Sequence, residues 1–119
     1  MTNLVFTYGT LKKGFDNHQY LQDSDFIGSG RTKEKYALYD RGIPFVIRNN
    51  PISYIYGEVY SVNDDVLAIL DQLEGHPDWY YREVVEIVLN GDNNSVNAWL
   101  YFNPDDSGEL ITSGKYILK

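Results

Sequence analysis

The sequence predicts a β-rich α+β fold: a small mixed β-barrel flanked by one main helix and short helical turns. Three observations carry this expectation. Turn signals come often, and the runs between them are rich in Val, Ile, Tyr and Phe. A single stretch, residues 64–74, has sustained helical spacing of apolar residues. The chain has 119 residues, enough to bury one sizeable core, so one domain spanning 1–119 is expected.

Taken in order, Leu4–Tyr8 reads as a short strand ending at Gly9, and residues 10–16 as a loop closed by Gly14. Asn17 is a suitable cap for one or two helical turns through His18, Tyr20 and Leu21. Phe26–Tyr39 holds strand material interrupted by Gly28 and Gly30. Pro44–Ile47 and Tyr54–Val62 are further strands, parted by the turn-like Asn49-Asn50-Pro51. The helix at 64–74 has Asn63 as its cap and Asp64 and Asp65 in the first turn, where the helix dipole favours acids. Val66, Ile69, Leu70 and Leu73 recur at i, i+3, i+4 and i+7, and Gly75 is the expected stop, with Pro77 just beyond. Arg82–Leu89 and Val96–Phe102 form a hairpin across Asn90-Gly91-Asp92-Asn93. In its second arm Val96, Ala98, Leu100 and Phe102 alternate with Asn97, Trp99 and Tyr101, the pattern of a strand with two distinct faces. The tail, Leu110–Leu118, is expected to dock back and cover Tyr116, Ile117 and Leu118.

Composition narrows the function. With 10 Lys and Arg against 17 Asp and Glu, the net charge is −7. A chain of that charge lacks the basic face that a backbone-reading nucleic-acid binder needs. There are no Cys and only two His, which disfavours thiolate nucleophiles, iron–sulfur clusters and a dedicated transition-metal site. No segment reaches transmembrane length, and Met1-Thr2-Asn3-Leu4 runs straight into a strand without a leader pattern, so a cytoplasmic protein free of membrane is expected. Eleven Tyr stand out. Tyr builds strands and also lines pockets, having an apolar body and a polar tip.

Glu74 does not fit its helix. At about 100° per residue with Val66 at zero, Leu70 falls at about 40°, Glu74 at about 80° and Leu67 at about 100°. Glu74 therefore lies within the apolar stripe. It also lies in the last turn, where exposed carbonyls disfavour an anion. Burial and dipole both push a carboxyl pKa upward, as proton-transfer chemistry requires. The plain alternative is a frayed helix end with Glu74 in solvent.

Gly9 and Gly14 are spaced as in a phosphate-binding GxxxxGK[ST] loop. Phe15 and Asp16 stand where that loop needs its Lys and its Ser or Thr, and an Asp there repels phosphate. The loop retains the capacity to present backbone N–H groups to a carboxylate or a polarised carbonyl; a plain turn leaving an edge strand is the alternative. His76-Pro77-Asp78 copies the tripeptide of J-domain co-chaperones, but those domains are all-helical and a strand follows here, so the match is chance. On a turn, His76 is more often exposed than paired with Glu74.

Loop and glutamate together resemble the gamma-glutamyl cyclotransferase-like (AIG2-like) family. Tyr8-Gly9-Thr10-Leu11-Lys12-Lys13-Gly14 is similar to its opening YGTL/YGSL loop, and Asn17-His18 with Leu21 to the N-H-x-x-L stretch after it. Gly57-Glu58-Val59-Tyr60 resembles the central GEVY strand. Leu70-Asp71-Gln72-Leu73-Glu74 resembles the LDxxE helix end, with Tyr80 and Arg82 as the following Y-x-R. Ser113-Gly114-Lys115-Tyr116 is similar to a C-terminal S-G-D-W, with Lys-Tyr in place of Asp-Trp. The matches run in order from residue 4 to residue 116, and the short length looks most like the compact gamma-glutamylamine branch.

The resemblance implies a small β-barrel and an enzyme that releases 5-oxoproline from gamma-glutamyl compounds, with Glu74 as acid/base and Tyr8, Gly9, Thr10 and Leu11 as the substrate cradle. It calls for no metal and no organic cofactor, and the partner it implies is a small gamma-glutamyl substrate. Tyr8, Tyr80 and Tyr101 are each expected to donate a hydrogen bond to substrate or to Glu74, or else to pack the barrel. Arg82 is expected to pair with a substrate carboxylate, or else with Glu83 or Asp78 at the surface. Glu58 is expected to orient a substrate ammonium or to face solvent. A catalytically silent module that keeps the pocket for a gamma-glutamyl metabolite or a partner side chain is the competing function. Nothing in the sequence specifies an oligomeric state.

Overall fold

The computed structural model describes residues 2–9, 16–91, 94–104 and 108–116. In chain order these form β1 (Thr2–Thr7), a 3-10 helix (Asp16–Leu21), β2 (Asp25–Thr32), β3 (Ala37–Asp40), β4 (Pro44–Ile47), β5 (Tyr56–Asn63), α1 (Asp64–Glu74), β6 (Tyr81–Leu89), β7 (Ser95–Phe102) and β8 (Glu109–Leu110). Five strands close a barrel in the order β1-β5-β2-β6-β7. The sheet is mixed because β1 meets β7 in parallel, Val5 opposite Trp99, while the other barrel pairs are antiparallel. A second sheet, β4-β3-β8, lies outside the closed ring.

The period-2 alternation of the strands sorts apolar residues into two clusters. Residues such as Phe6, Val59, Ile87, Ala98, Leu100 and Phe102 form one; Val5, Tyr60, Val62 and Tyr101, pointing the other way from the same strands, form the second with Leu67 and Leu70 of α1. Burying Leu70, which has no exposed surface, contributes about 2 kcal/mol. The expected stripe on α1 needs one correction: Ile69 is 45% exposed. With Leu70 at the centre of the buried face, Ile69 lies about 100° away, whereas Leu67, Leu73 and Glu74 lie three or four residues from Leu70 on the same side.

The strand expected to break at Gly28 and Gly30 instead runs through both, with a bulge between Phe26 and Gly28. A side chain at Gly30 would collide with the Val88 carbonyl of β6. That glycine permits close strand approach and does not end the strand. The hairpin of β6 and β7 runs in register from Tyr81 opposite Phe102 to Val88 opposite Ser95; Asp92 and Asn93 of its turn lie outside the described residues. The tail docks as expected. Leu110 pairs with Tyr39, the Ile111 N–H donates to the Leu38 carbonyl at 2.8 Å, and Tyr116 packs against the barrel cluster. Ile117 and Leu118 lie outside the described residues. Among those described, no helix is long and apolar enough to cross a membrane.

Candidate active site

The site is built where α1 ends. The Asn63 side chain caps the helix start by accepting from the Val66 N–H at 2.8 Å. At the other end Gly75 takes the left-handed conformation, φ 67°, that stops a helix at little cost only in a residue without Cβ. The chain then folds back. The Gly75 N–H donates to the Gln72 carbonyl, His76 to Asp71, and Tyr80 to Glu74 at 3.2 Å. The turn thereby returns Trp79 and Tyr80 to the side of the helix that carries Leu73 and Glu74.

A cavity of about 150 Å³ opens there, walled by Leu73 and Glu74 of α1, Phe6, Thr7, Tyr8 and Gly9 at the end of β1, Ile43 and Pro44 before and in β4, Trp79 and Tyr80 of the turn, and Tyr101 of β7. Gly9 is buried against Pro44: a Cβ in its place would lie 2.5 Å from Pro44 Cγ. Of the expected cradle, Gly9 and Tyr8 are therefore at the cavity wall, while Thr10 and Leu11 lie outside the described residues.

Glu74 is partly buried, and that burial pushes its carboxyl pKa up to about 7. The frayed end, with Glu74 in solvent, is not what the chain adopts. The dipole contribution expected from the sequence is muted, because the carbonyls of Asp71, Gln72 and Glu74 have already found N–H partners in the following turn. Desolvation is what sets this carboxyl.

The three phenols were expected to donate to substrate or to Glu74, or else to pack the barrel; each is buried and donates within the protein. The Tyr8 hydroxyl donates to the Tyr101 carbonyl at 2.8 Å, Tyr80 to the Pro44 carbonyl at 2.9 Å, and Tyr101 to Asp71 Oδ1 at 2.7 Å. A phenol has one proton, so each of these is spent on the protein. All three phenols have pKa values raised chiefly by burial, with the nearby Glu74 charge adding to each. They are thus neutral, and toward the cavity they have only lone pairs to offer.

Arg82 also departs from both expectations. It is not part of the cavity wall, and it pairs with neither Glu83 nor Asp78. Its Nε donates to Asp71 Oδ1 at 2.7 Å and a terminal nitrogen donates to Oδ2 at 3.1 Å, with the guanidinium 4.2 Å over the Trp99 ring. The reason is register: Arg82 and Tyr101 are directly opposite across β6 and β7, on the face toward α1, and Asp71 projects between them. Glu58, away from the cavity, accepts from the Tyr60 hydroxyl at 2.9 Å. His76 Nδ1 accepts from the Arg82 N–H at 3.3 Å, so its ring stays with the turn and does not join Glu74. Lys115 lies on another crevice, with Tyr56 and Glu58. Among the described residues, no group of three or more His, Asp and Glu is placed to hold a metal ion.

Residues 5–118 match the family described as gamma-glutamyl cyclotransferase, AIG2-like. The chain belongs to that family. A Methanocaldococcus jannaschii protein provisionally named a gamma-glutamylcyclotransferase is 53% identical over 113 residues, covering 94% of this chain and 93% of its own. Gamma-glutamylaminecyclotransferase B of Danio rerio is 41% identical over 119 residues, 86% of this chain and 62% of its own. An AIG2-like protein from Mus musculus of known crystal structure superposes with a TM-score of 0.79 at 28% identity, covering 86% of this chain and 77% of that one. The closed mixed barrel with one main helix is thus the fold of gamma-glutamyl cyclotransferase-like proteins.

Within that family frame, the cavity includes residues that sequence reasoning passed over. Phe6, Ile43, Pro44 and Leu73 supply apolar wall and carried no signal beyond hydrophobicity. Trp79 carried one: it is a large aromatic on a turn, and at 49% exposed it stands at the cavity mouth. Asp71 was legible by the same helical wheel that singled out Glu74, since it falls at the edge of the apolar stripe.

Proposed function

We propose that this chain is an enzyme releasing 5-oxoproline and a free amine from a gamma-glutamyl compound, with Glu74 as the single proton carrier. The observation that carries the reading is a partly buried carboxyl, held near neutrality, sharing one mostly apolar cavity with the Gly9 backbone. Family membership supports the same chemistry.

The substrate's own α-amine is the nucleophile, so holding the glutamyl chain folded supplies much of the rate. The amine arrives as ammonium. Glu74, ionised, takes one proton; the nitrogen lone pair then attacks the γ-carbonyl carbon, forming the ring C–N bond, and the carbonyl π electrons move to oxygen. Backbone N–H groups of the Gly9 segment are assigned to the substrate carboxylate or the oxyanion. The resemblance assigns Thr10 and Leu11 to the same cradle. Collapse of the oxyanion re-forms the carbonyl and breaks the bond to the leaving nitrogen, which takes the proton from Glu74; the carboxylate so restored takes the second proton of the ring nitrogen, leaving the lactam N–H, and passes it to the released amine, which departs as ammonium. One carboxyl serves both transfers when its pKa lies near the working pH. The reaction calls on no oxidant and no second substrate, so no cofactor is required of it.

The test is a panel of gamma-glutamyl amines and gamma-glutamyl amino acids with a 5-oxoproline readout, run on wild type and Glu74→Gln in parallel. Wild-type release that falls by at least a thousandfold in a folded Glu74→Gln variant is the expected result. Ligand-induced stabilisation without product from the wild type would instead mark a binding module.

A further inference from the structure

Asp71 and Arg82 are not among the residues that line the cavity, yet they decide which way the hydroxyl of one lining residue points. Asp71 is three residues before Glu74 on α1. Both of its oxygens are engaged by the Arg82 fork, and Oδ1 also accepts from the Tyr101 hydroxyl. Tyr101 lines the cavity, and its hydroxyl lies within reach of the Glu74 charge. An ionised carboxylate has no proton to give, so the Tyr101 proton must point at Asp71; the Arg82 guanidinium also donates to the Tyr101 oxygen, which leaves it one lone pair. A hydroxyl that donates to an anion is also a stronger acceptor.

We infer that Asp71 and Arg82 are positioning residues that hold the Tyr101 hydroxyl as an acceptor for the N–H groups of the substrate's α-amino end. The inference rests on the function proposed above and deepens it. A gamma-glutamyl group has two charged substituents on one carbon, an ammonium that only donates and a carboxylate that only accepts. A lone-pair wall beside Glu74 takes the first and repels the second. The carboxylate is left to the backbone of Gly9, which lines the same cavity. The pairing therefore orients the substrate with its nucleophilic nitrogen on the side of the proton acceptor. The Arg82 fork fixes the Asp71 plane, and the Trp99 ring under the guanidinium fixes the fork.

The probe is gamma-L-glutamyl-n-butylamide, measured by 5-oxoproline release, together with N-n-butylglutaramate, the same molecule without its α-amino group, as a competitive inhibitor. In Tyr101→Phe and Asp71→Asn the KM for the substrate rises about tenfold, the size expected for a lost hydrogen bond to a charged group. The Ki of the glutaramate stays within about twofold of wild type, and the double variant is no worse than the poorer single. Arg82→Lys, which keeps the charge and loses the fork, gives a smaller rise in KM with the same unchanged Ki, and with Tyr101→Phe it decides the matter if Asp71→Asn does not fold. KM and Ki rising in step would make the cluster merely structural, and an unchanged KM in Tyr101→Phe would remove the contact; either overturns the inference. A wild type without turnover overturns the proposed function along with it, whereas an active wild type with indifferent variants overturns this inference alone.

Discussion

Replacing Glu74 by Gln has a consequence for stability that is separate from activity and has a definite dependence on pH. In the unfolded chain this carboxyl ionises near its ordinary 4.5; in the folded chain burial keeps the proton on until about pH 7. Between those values the folded state binds more protons than the unfolded state, so its stability falls as pH rises from about 4.5 to about 7 and levels off above. At about 1.4 kcal/mol per tenfold, the full displacement amounts to about 3 kcal/mol lost by pH 8. Solvent reaching the partly exposed carboxyl reduces this, and so does the cost of burying a Gln amide, which leaves a gain of about 1–2 kcal/mol for Glu74→Gln at pH 8. For a chain of this size that is an increase in Tm of about 3–8 °C. The assay is thermal unfolding of both proteins at pH 4.5 and pH 8, and the quantity is the difference between the two Tm gaps, which cancels every other titrating group. A gap that widens in favour of Glu74→Gln at pH 8 is expected. An equal gap at both pH values would refute the placement of this carboxyl in a desolvated wall.

Three further outcomes follow from the same geometry. In the proposed reaction the ionised Glu74 takes a proton, so the acid limb of the wild-type kcat/KM profile for 5-oxoproline release is expected to rise through about pH 7; a limb centred near 4.5 would assign the base elsewhere. Gly9→Ala puts a Cβ 2.5 Å from Pro44 Cγ, so the β1 end must shift, and KM is expected to rise about tenfold with Tm lowered by only a few degrees. Gly75→Ala forces a side chain into a left-handed conformation with φ 67° and 3.1 Å from Trp79 Cβ; it is expected to destabilise by about 1–2 kcal/mol in urea unfolding and to lower kcat through the misplaced Glu74.

The sequence was most readable where one residue's surroundings are supplied by its own helix. Asn63, Gly75 and the off-pattern Glu74 follow from local spacing, and the helix bounds at 64 and 74 agree with the structure. The barrel was legible as alternation in β7, where Ala98, Leu100 and Phe102 point one way and Tyr101 the other. What local spacing does not contain is the register between strands. Arg82 and Tyr101 are 19 positions apart in sequence and opposite each other across β6 and β7. Without that register, Arg82 had no visible partner except near neighbours or substrate. The glycines of β2 misled for a related reason: in one dimension Gly30 reads as a break, and its true cause is the Val88 carbonyl of another strand. The polarity of the phenols was unreadable for the same reason, since the acceptors at Tyr101, Pro44 and Asp71 are supplied by elements far along the chain.

Asp71 and Glu74 pose one question between them. They are the same functional group, about one turn apart on one helix, both partly buried, and their pKa values move in opposite directions. Burial raises each. For Asp71 that push is overcome by hydrogen bonds from Arg82 and Tyr101 and by the charge of Arg82, and the result is a lowered pKa. For Glu74 burial acts unopposed, and the result is about 7. Environments that drive two like groups apart are how one site obtains an ion and a titratable acid together. The permanent anion is the one that cannot react, because its oxygens are taken up by the Arg82 fork and the Tyr101 hydroxyl. The adjustable one faces the cavity. Exchanging the two roles would need Arg82 one helical turn further along α1, and the direct pairing of Arg82 with Tyr101 forbids that. The register of β6 on β7 thereby decides which carboxyl on α1 is left free to carry a proton.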